Sequence, residues 1–191
     1  MRVIGGNAKG RRLVVPKGPA VRPTAVRVKN SLFNILPGDL AGMTVLDLFA
    51  GTGNLTIEAL SRGAAEALLV EISPRSAEVI RENLRRFGYD GERVTLWVAP
   101  VARTLRTLAR RERKFDLIFL DPPYGKCLVG ASLEIIGRGQ LLSASGTVVA
   151  EHSAREAVSA CYGSLVLNDQ RHYGDTRLSF FQRATENGFS V

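Results

Sequence analysis

Short apolar runs recur along the chain, each followed by a longer amphipathic stretch. Thr44–Leu48 is a short apolar strand, and Leu55–Arg62 then reads as a helix. Ala67–Val70 is a strand running into Glu71, followed by a helix from Pro74 to about Phe87, where Pro74 suits a first helical turn. Val94–Val98 and Phe115–Leu120 are further strands with a polar, arginine-rich helix between them, and Thr147–Ala150 makes a fifth. Continuously apolar strands alternating with helices predict a mainly parallel sheet covered on both faces. Ser164–Asn168 and Arg177–Phe181 read as two more strands joined through Asp169–Asp175. That connection leaves no room for a crossover helix, so an antiparallel hairpin is expected on one side of the parallel sheet. At the other end, Val3–Ile4 and Arg12–Val15 pattern as a small hairpin around Gly5-Gly6 and Gly10. Ala25–Leu36 follows as a helix that packs by Val28, Leu32, Phe33 and Leu36 and presents Arg27 and Lys29 on its open side.

Charge divides the chain further. Residues 1–38 hold eight Lys/Arg and no Asp or Glu, while the remaining 153 residues hold 18 of each sign, so the whole net charge of +8 sits in the first fifth. A positive field sequestered in this way attracts a polyanion, and nucleic acid is the expected partner. The organisation read from these patterns is a basic extension over residues 1–38, an α/β domain over 39–185 and a tail over 186–191. No run approaches the length needed to span a bilayer, and Met1-Arg2-Val3 opens no signal-peptide pattern. Cys127 and Cys161 are 34 residues apart without a CxxC, which suggests neither a disulfide scaffold nor a metal site. A cytoplasmic location is the expectation.

Chemistry concentrates at two strand ends. Asp47-Leu48-Phe49-Ala50-Gly51-Thr52-Gly53 links the first strand to a helix, and its glycines allow the backbone to bend sharply and bring amides close to a ligand. The next strand ends in Glu71, twenty residues beyond Gly51, where an acid can take the hydroxyls of a ribose. The run Gly51-Thr52-Gly53-Asn54-Leu55-Thr56 lacks the third glycine of a dinucleotide fingerprint, and no GxxxxGK[ST] is present. An acid at the end of the first strand suits a pyrophosphate badly, but Asp47 can orient a cationic amino-acid portion through amides or water. S-adenosylmethionine fits that combination: an adenosine, a positive sulfonium and no phosphate. A nicotinamide or a merely structural turn are the alternatives.

The second strand end is Phe115-Asp116-Leu117-Ile118-Phe119-Leu120-Asp121-Pro122-Pro123-Tyr124-Gly125. Pro122 and Pro123 lack N–H groups but keep their carbonyls, and their rings stiffen the chain. The Asp121 carboxylate and the Pro122 carbonyl therefore form a rim of acceptors. Two acceptors gripping the hydrogens of a base's exocyclic amine favour a pyramidal nitrogen and aim its lone pair, while Tyr124 can stack on an extruded base. Such catalysis works by positioning and electrostatics, without a covalent intermediate or a metal.

These residues resemble the small bacterial methyltransferases of the RsmD type. The likeness runs from Arg2-Val3-Ile4-Gly5-Gly6, Gly10-Arg11-Arg12-Leu13 and Arg22-Pro23-Thr24 with Arg27-Val28-Lys29 and Leu32-Phe33-Asn34-Ile35-Leu36. It continues through Leu46–Gly53 and Glu58–Ala64 to Asp121-Pro122-Pro123-Tyr124 and Tyr173-Gly174-Asp175-Thr176. The resemblance implies a Rossmann-like class I methyltransferase core, mainly parallel with a C-terminal antiparallel hairpin, plus the basic hairpin-helix extension. It implies S-adenosylmethionine as donor and, as substrate, the N2 amine of a guanine of 16S ribosomal RNA in a 30S subunit or assembly intermediate. No membrane is involved, and a monomer is expected. Carried onto this sequence, the cofactor set is Asp47, Phe49, Ala50, Gly51, Gly53, Asn54, Glu71 and Ile72. The catalytic set is Asp121, Pro122 and Tyr124. The substrate set is Arg2, Lys9, Arg11, Arg12, Arg22, Thr24, Arg27, Lys29, Pro123 and His172, with no metal ligand.

Two positions depart from the family pattern. Asn54 stands where a small alanine is common, and Ala99-Pro100 stands where Asp or Asn followed by Ala reaches the adenine amine, so adenine must be read by backbone groups or by fit. Adenine-N6 methylation of RNA or DNA remains open as an alternative reaction, because Asp121–Tyr124 recognises an amine before it recognises a ring. A non-catalytic RNA-binding assembly factor is the alternative of another class. His152, after Glu151, is expected to pack or touch RNA more than to act as a base. The basic run Arg103–Lys114 is either a solvated helix face or an auxiliary RNA surface.

Overall fold

The computed structural model describes residues 1–15 and 23–184. Lys17, Arg22 and the 186–191 tail lie outside the described residues, as does the side chain of Thr24. The chain divides into two compact units, Met1–Val101 and Ala102–Val191.

The first unit carries the helix α1 (Pro23–Ile35) and the alternation β1 (Thr44–Leu48), α2 (Asn54–Ser61), β2 (Glu66–Glu71), α3 (Pro74–Phe87) and β3 (Val94–Val98). Its strands lie in the order β3–β2–β1, all parallel, with Leu46 opposite Leu68 and Leu69 opposite Leu96. The strand and helix positions expected from the apolar runs are met to within a residue or two. The boundaries of α3 show why: Ser73 caps its first turn by accepting the Ser76 N–H at 3.3 Å, Pro74 is its first residue, and Gly88 ends it in a left-handed conformation.

The N-terminal residues do form a hairpin, joined among the described residues by the single bridge of Arg2 opposite Arg12. Its stability comes from what it lies on. Val3, Ala8 and Leu13 are buried. Ser61 accepts from the Asn7 and Ala8 amides and donates to the Gly5 carbonyl at 2.6 Å. Gly6 is the reason the chain can approach so closely, since a Cβ there would sit 1.7 Å from the Ser61 carbonyl oxygen.

The second unit begins within α4 (Val101–Arg110) and continues with β4 (Phe115–Leu120), α5 (Leu128–Arg138), β5 (Leu142–Ser153), β6 (Cys161–Tyr162), β7 (Leu165–Tyr173) and β8 (Thr176–Arg183). Its strand order is β4–β5–β8–β7–β6, parallel for the first pair and antiparallel for the rest. The expected C-terminal hairpin is therefore present, and it is longer than its apolar residues indicate. The polar run Asp169–His172 is strand, not loop, because each residue pairs with β8, and only Gly174-Asp175 turns the chain. β5 likewise extends beyond the expected Thr147–Ala150, since Glu151, His152 and Ser153 pair with Leu178, Arg177 and Thr176. Helix α5, unmarked in the sequence pattern, is diluted by Gly130 and Gly137. In α4, Leu105 and Leu108 are buried while Arg103, Arg106 and Arg110 are exposed, so its arginines form an outward face.

Candidate functional site

In the first unit, the turn after β1 winds through left-handed conformations at Phe49 (φ 64°), Gly51 (φ 57°) and Gly53 (φ 76°). A phenylalanine in that region is strained, which is the kind of local cost found where a loop is shaped for a ligand. Glu71, at the end of β2, holds this turn. Its two carboxylate oxygens accept from the Gly51 amide at 2.9 Å and the Ser73 amide at 2.8 Å. Beside it, Ile72 is 64% exposed, and Val98, the residue opposite Glu71 in β3, is 41% exposed. A carboxylate flanked by two uncovered apolar side chains suits a nucleoside, with a ribose on the acid and a purine face on the apolar surface. The Ala99 amide donates to the Glu71 carbonyl at 3.1 Å, so the backbone at the Ala99-Pro100 departure is ordered by β2.

Asp47 is only 2% exposed and serves α2 directly, accepting the Thr56 hydroxyl at 2.6 Å and the Thr56 amide at 3.3 Å. Burial pushes its carboxyl up to about 7, with Thr56 opposing the shift and Glu71 adding to it. The folded state therefore holds a proton that the unfolded chain has lost between pH 4 and 7, and stability contributed at Asp47 is largest below that window and falls as pH rises through it. Asp47→Asn should flatten the stability profile there, removing a slope of up to about 1.4 kcal/mol per pH unit. Denaturant unfolding at pH 4, 5.5 and 7 measures it, and parallel profiles for the two proteins would refute the assignment.

Lys29 corrects an expectation. It faces inward, 7% exposed, instead of standing on the open side of α1. Its ammonium donates to Asn54 Oδ1 at 2.7 Å and to the Arg2 carbonyl at 3.1 Å, and pairs with Glu58 Oε2 at 2.9 Å. Helical spacing put Lys29 beside the polar positions, and the Glu58 carboxylate of the neighbouring helix supplies the opposite charge that an inward cation needs. Arg2, Lys9, Arg11, Arg12 and Arg27 are exposed as expected, although Arg11 is also held over the Phe87 ring at 4.4 Å. A cavity of about 470 Å³ opens among Met1, Arg2, Arg12, Lys29, Asn30 and Asn54. Asn54, the other departure from the family pattern, thus turns its oxygen to Lys29.

The second unit carries the proline corner. Pro122 is buried, Asp121 and Pro123 are exposed, and Tyr124 is 38% exposed. The tyrosine is held by its hydroxyl, which donates to Glu151 Oε1 at 3.0 Å and bonds Thr176 Oγ1 at 3.1 Å. Burial raises its pKa to about 12, so the phenol stays protonated and can donate. Thr176, the last residue of the Tyr173–Thr176 segment, thereby helps fix the ring after the prolines. His152 is fully buried, its Nε2 2.8 Å from Ser179 Oγ, and burial lowers its pKa. It is a packing residue. His172 is exposed on β7 opposite Arg177 and is not gathered with the proline corner by any contact among the described residues.

The family model described as "Conserved hypothetical protein 95" matches residues 1–182. The chain belongs to this family, the RsmD family. Its relatives include YlbH of Bacillus subtilis, 36% identical over 183 residues that cover 96% of this chain and 99% of the relative. Ribosomal RNA small subunit methyltransferase D of Escherichia coli K12 is 28% identical over 186 residues, 97% of this chain and 91% of the relative. Among solved structures, the yhhF protein of Escherichia coli superposes with a TM-score of 0.82 at 25% identity, covering 96% of this chain and 97% of that one. A protein of Thermus thermophilus does so with a TM-score of 0.79 at 30% identity, covering 95% and 99%. The RsmD-family chain thus has the Rossmann-like fold of the S-adenosylmethionine-dependent methyltransferases that its motifs resemble. Among its described residues, no helix is long and apolar enough to cross a membrane.

Sequence reading passed over two residues of the site. Glu58 appeared only as part of a shared segment, and Glu151 only as the neighbour of His152. A signal for Glu151 existed: it directly follows the apolar run Thr147–Ala150, as Asp121 directly follows Phe115–Leu120.

Proposed function

We propose that this chain transfers a methyl group from S-adenosylmethionine to the exocyclic N2 amine of a guanine in 16S ribosomal RNA, within a small-subunit assembly intermediate. The observation that carries the reading is the proline corner at the end of β4, where Tyr124 is fixed by Glu151 and Thr176 beside the acceptors of Asp121 and Pro122. The RNA substrate is supported by the name of the Escherichia coli relative and by the exposed Arg2, Lys9, Arg11, Arg12 and Arg27.

The donor, when bound, supplies an electrophilic methyl on a positive sulfur. Glu71 would hold its ribose, Ile72 its adenine face, and the turn from Phe49 to Gly53 its remaining polar groups. Asp121 and the Pro122 carbonyl accept the two amine hydrogens, so that the nitrogen lone pair is freed from the ring and directed outward. Tyr124 stacks on the base, and its anchored hydroxyl keeps the ring from rotating away. Once the nitrogen has gained its methyl it is cationic, and its proton leaves without a strong base.

Incubation with methyl-labelled S-adenosylmethionine and small-subunit particles from cells lacking this enzyme should place label in N2-methylguanosine. Naked rRNA and DNA run in parallel. Label in N6-methyladenosine would overturn the base, label equal on naked rRNA would overturn the assembly context, and absence of both label and cofactor binding would leave a non-catalytic assembly factor as the function.

A further inference from the structure

We propose that Glu151 is the residue that selects guanine: its carboxylate receives the N1–H of the base whose neighbouring amine is methylated. The proposal rests on the amine-methylation reading above and deepens it.

β4 and β5 are parallel neighbours whose register ends with Leu120 opposite Ala150, a pair of positions about 4.8 Å apart, and Asp121 and Glu151 each follow directly in the chain. They stand on one edge of the second unit, with Tyr124 bonded to one of them. Glu151 Oε1 accepts the Tyr124 hydroxyl, and among the described residues its other oxygen has no hydrogen bond. Burial raises the Glu151 pKa, and the Tyr124 hydrogen bond opposes that shift and favours the carboxylate. Glu151 is half-buried, so its side chain is partly open to a ligand.

The chemistry of the two candidate bases then differs at this oxygen. Guanine carries two adjacent donors on its Watson–Crick edge, the N2 amine and N1–H. With the amine on Asp121 and the Pro122 carbonyl, N1–H needs an acceptor next to them, and a carboxylate one strand away is one. Adenine carries its amine beside an unprotonated N1. A carboxylate facing that lone pair is repelled and loses its solvation without gaining a bond. The arrangement of acceptor beside acceptor therefore admits guanine and rejects adenine, which Asp121–Tyr124 alone does not do. Glu151 touches substrate in this scheme and also orients Tyr124, and the two roles use different oxygens.

The test uses small-subunit particles assembled on 16S rRNA that carries guanosine, 2-aminopurine riboside or adenosine at the position labelled by the wild-type protein. 2-Aminopurine keeps the amine that receives the methyl but has a lone pair at N1. The wild-type protein should prefer guanosine over 2-aminopurine by roughly 10²-fold or more in kcat/KM, as sites that hydrogen-bond a substrate N–H discriminate strongly. Glu151→Gln can still accept the Tyr124 hydroxyl through its amide oxygen while presenting an N–H to the base. It should lower the rate on guanosine and compress the preference to below about 10-fold, because N1–H loses its acceptor while the N1 lone pair of 2-aminopurine gains a donor. Tyr124→Phe, which severs the hydroxyl from Glu151 but keeps the ring, should slow both substrates and keep the wild-type preference. An unchanged preference in Glu151→Gln, or an equal compression in Tyr124→Phe, would overturn the proposal and leave Glu151 as an anchor for the tyrosine alone. Failure of the wild-type protein to methylate guanosine at all would overturn the amine reading itself, a result distinct from an unchanged ratio.

Discussion

Asp121→Ala should lower kcat for methyl transfer by about 10²–10³-fold, the loss typical when one preorganised electrostatic partner of the reacting group is removed. The amine nitrogen of a base is a poor nucleophile while its lone pair is delocalised into the ring. Asp121 grips one of its hydrogens, and removing the carboxylate returns the nitrogen towards planarity at the moment of attack. Folding should be nearly unaffected, because Asp121 is exposed at the end of β4 and the core beneath it is Phe119 and Leu120. Cofactor affinity should also stay within about 2-fold, because in this scheme the carboxylate holds the amine and not the donor. Single-turnover rates with labelled donor, together with titration of S-adenosylhomocysteine, separate the two. A loss of donor affinity equal to the loss of rate would move Asp121 from the amine to the cofactor.

Glu58→Ala should destabilise the protein by about 3–5 kcal/mol, the range for breaking a buried ion pair by deleting one partner. Glu58 is fully buried and serves four groups: Lys29 Nζ at 2.9 Å, Arg62 Nε at 3.1 Å, and the amides of Ile4 and Gly5 at 2.9 and 2.8 Å. Burial already lowers the pKa of Lys29, and the hydrogen bond and charge of Glu58 are what oppose that shift. Without Glu58 the lysine must shed its proton or leave its site, and two arm amides lose their acceptor. The effect should reach the surface: the Arg2–Arg12 hairpin should loosen, which limited proteolysis with trypsin at Arg11 and Arg12 reads directly. Lys29→Met combined with Glu58→Ala should cost less than the sum of the single changes, since it removes the stranded charge. Equal stability of Glu58→Ala and wild type in chemical denaturation would refute the role of this carboxylate. Asn83 supplies a second clamp that the variant retains, bonding Val14 at both its amide and its carbonyl and the Thr52 carbonyl of the glycine turn at 3.0 Å.

What the chain determines by itself is local. Short, mostly apolar runs such as Val45–Leu48 and Phe115–Leu120 between turn residues mark buried strands, and Ser73, Pro74 and Gly88 set the ends of α3 through their own backbone preferences. The glycine turn is marked by residues free to take the left-handed conformation and the double proline by residues whose φ is fixed, which is why both strand-end motifs are legible in the sequence. Long-range pairing is different. The polar residues Asp169–His172 become strand only because β8 supplies partners, and β5 runs on to Ser153 for the same reason. Lys29 points inward because Glu58 is there to receive it, and nothing in the spacing of α1 encodes a carboxylate 29 residues further on. Glu151 and Thr176 meet at the Tyr124 hydroxyl because strands 27 and 52 residues away end beside it. Such meetings are properties of strand register, not of local propensity, so they appear only when the chain has folded.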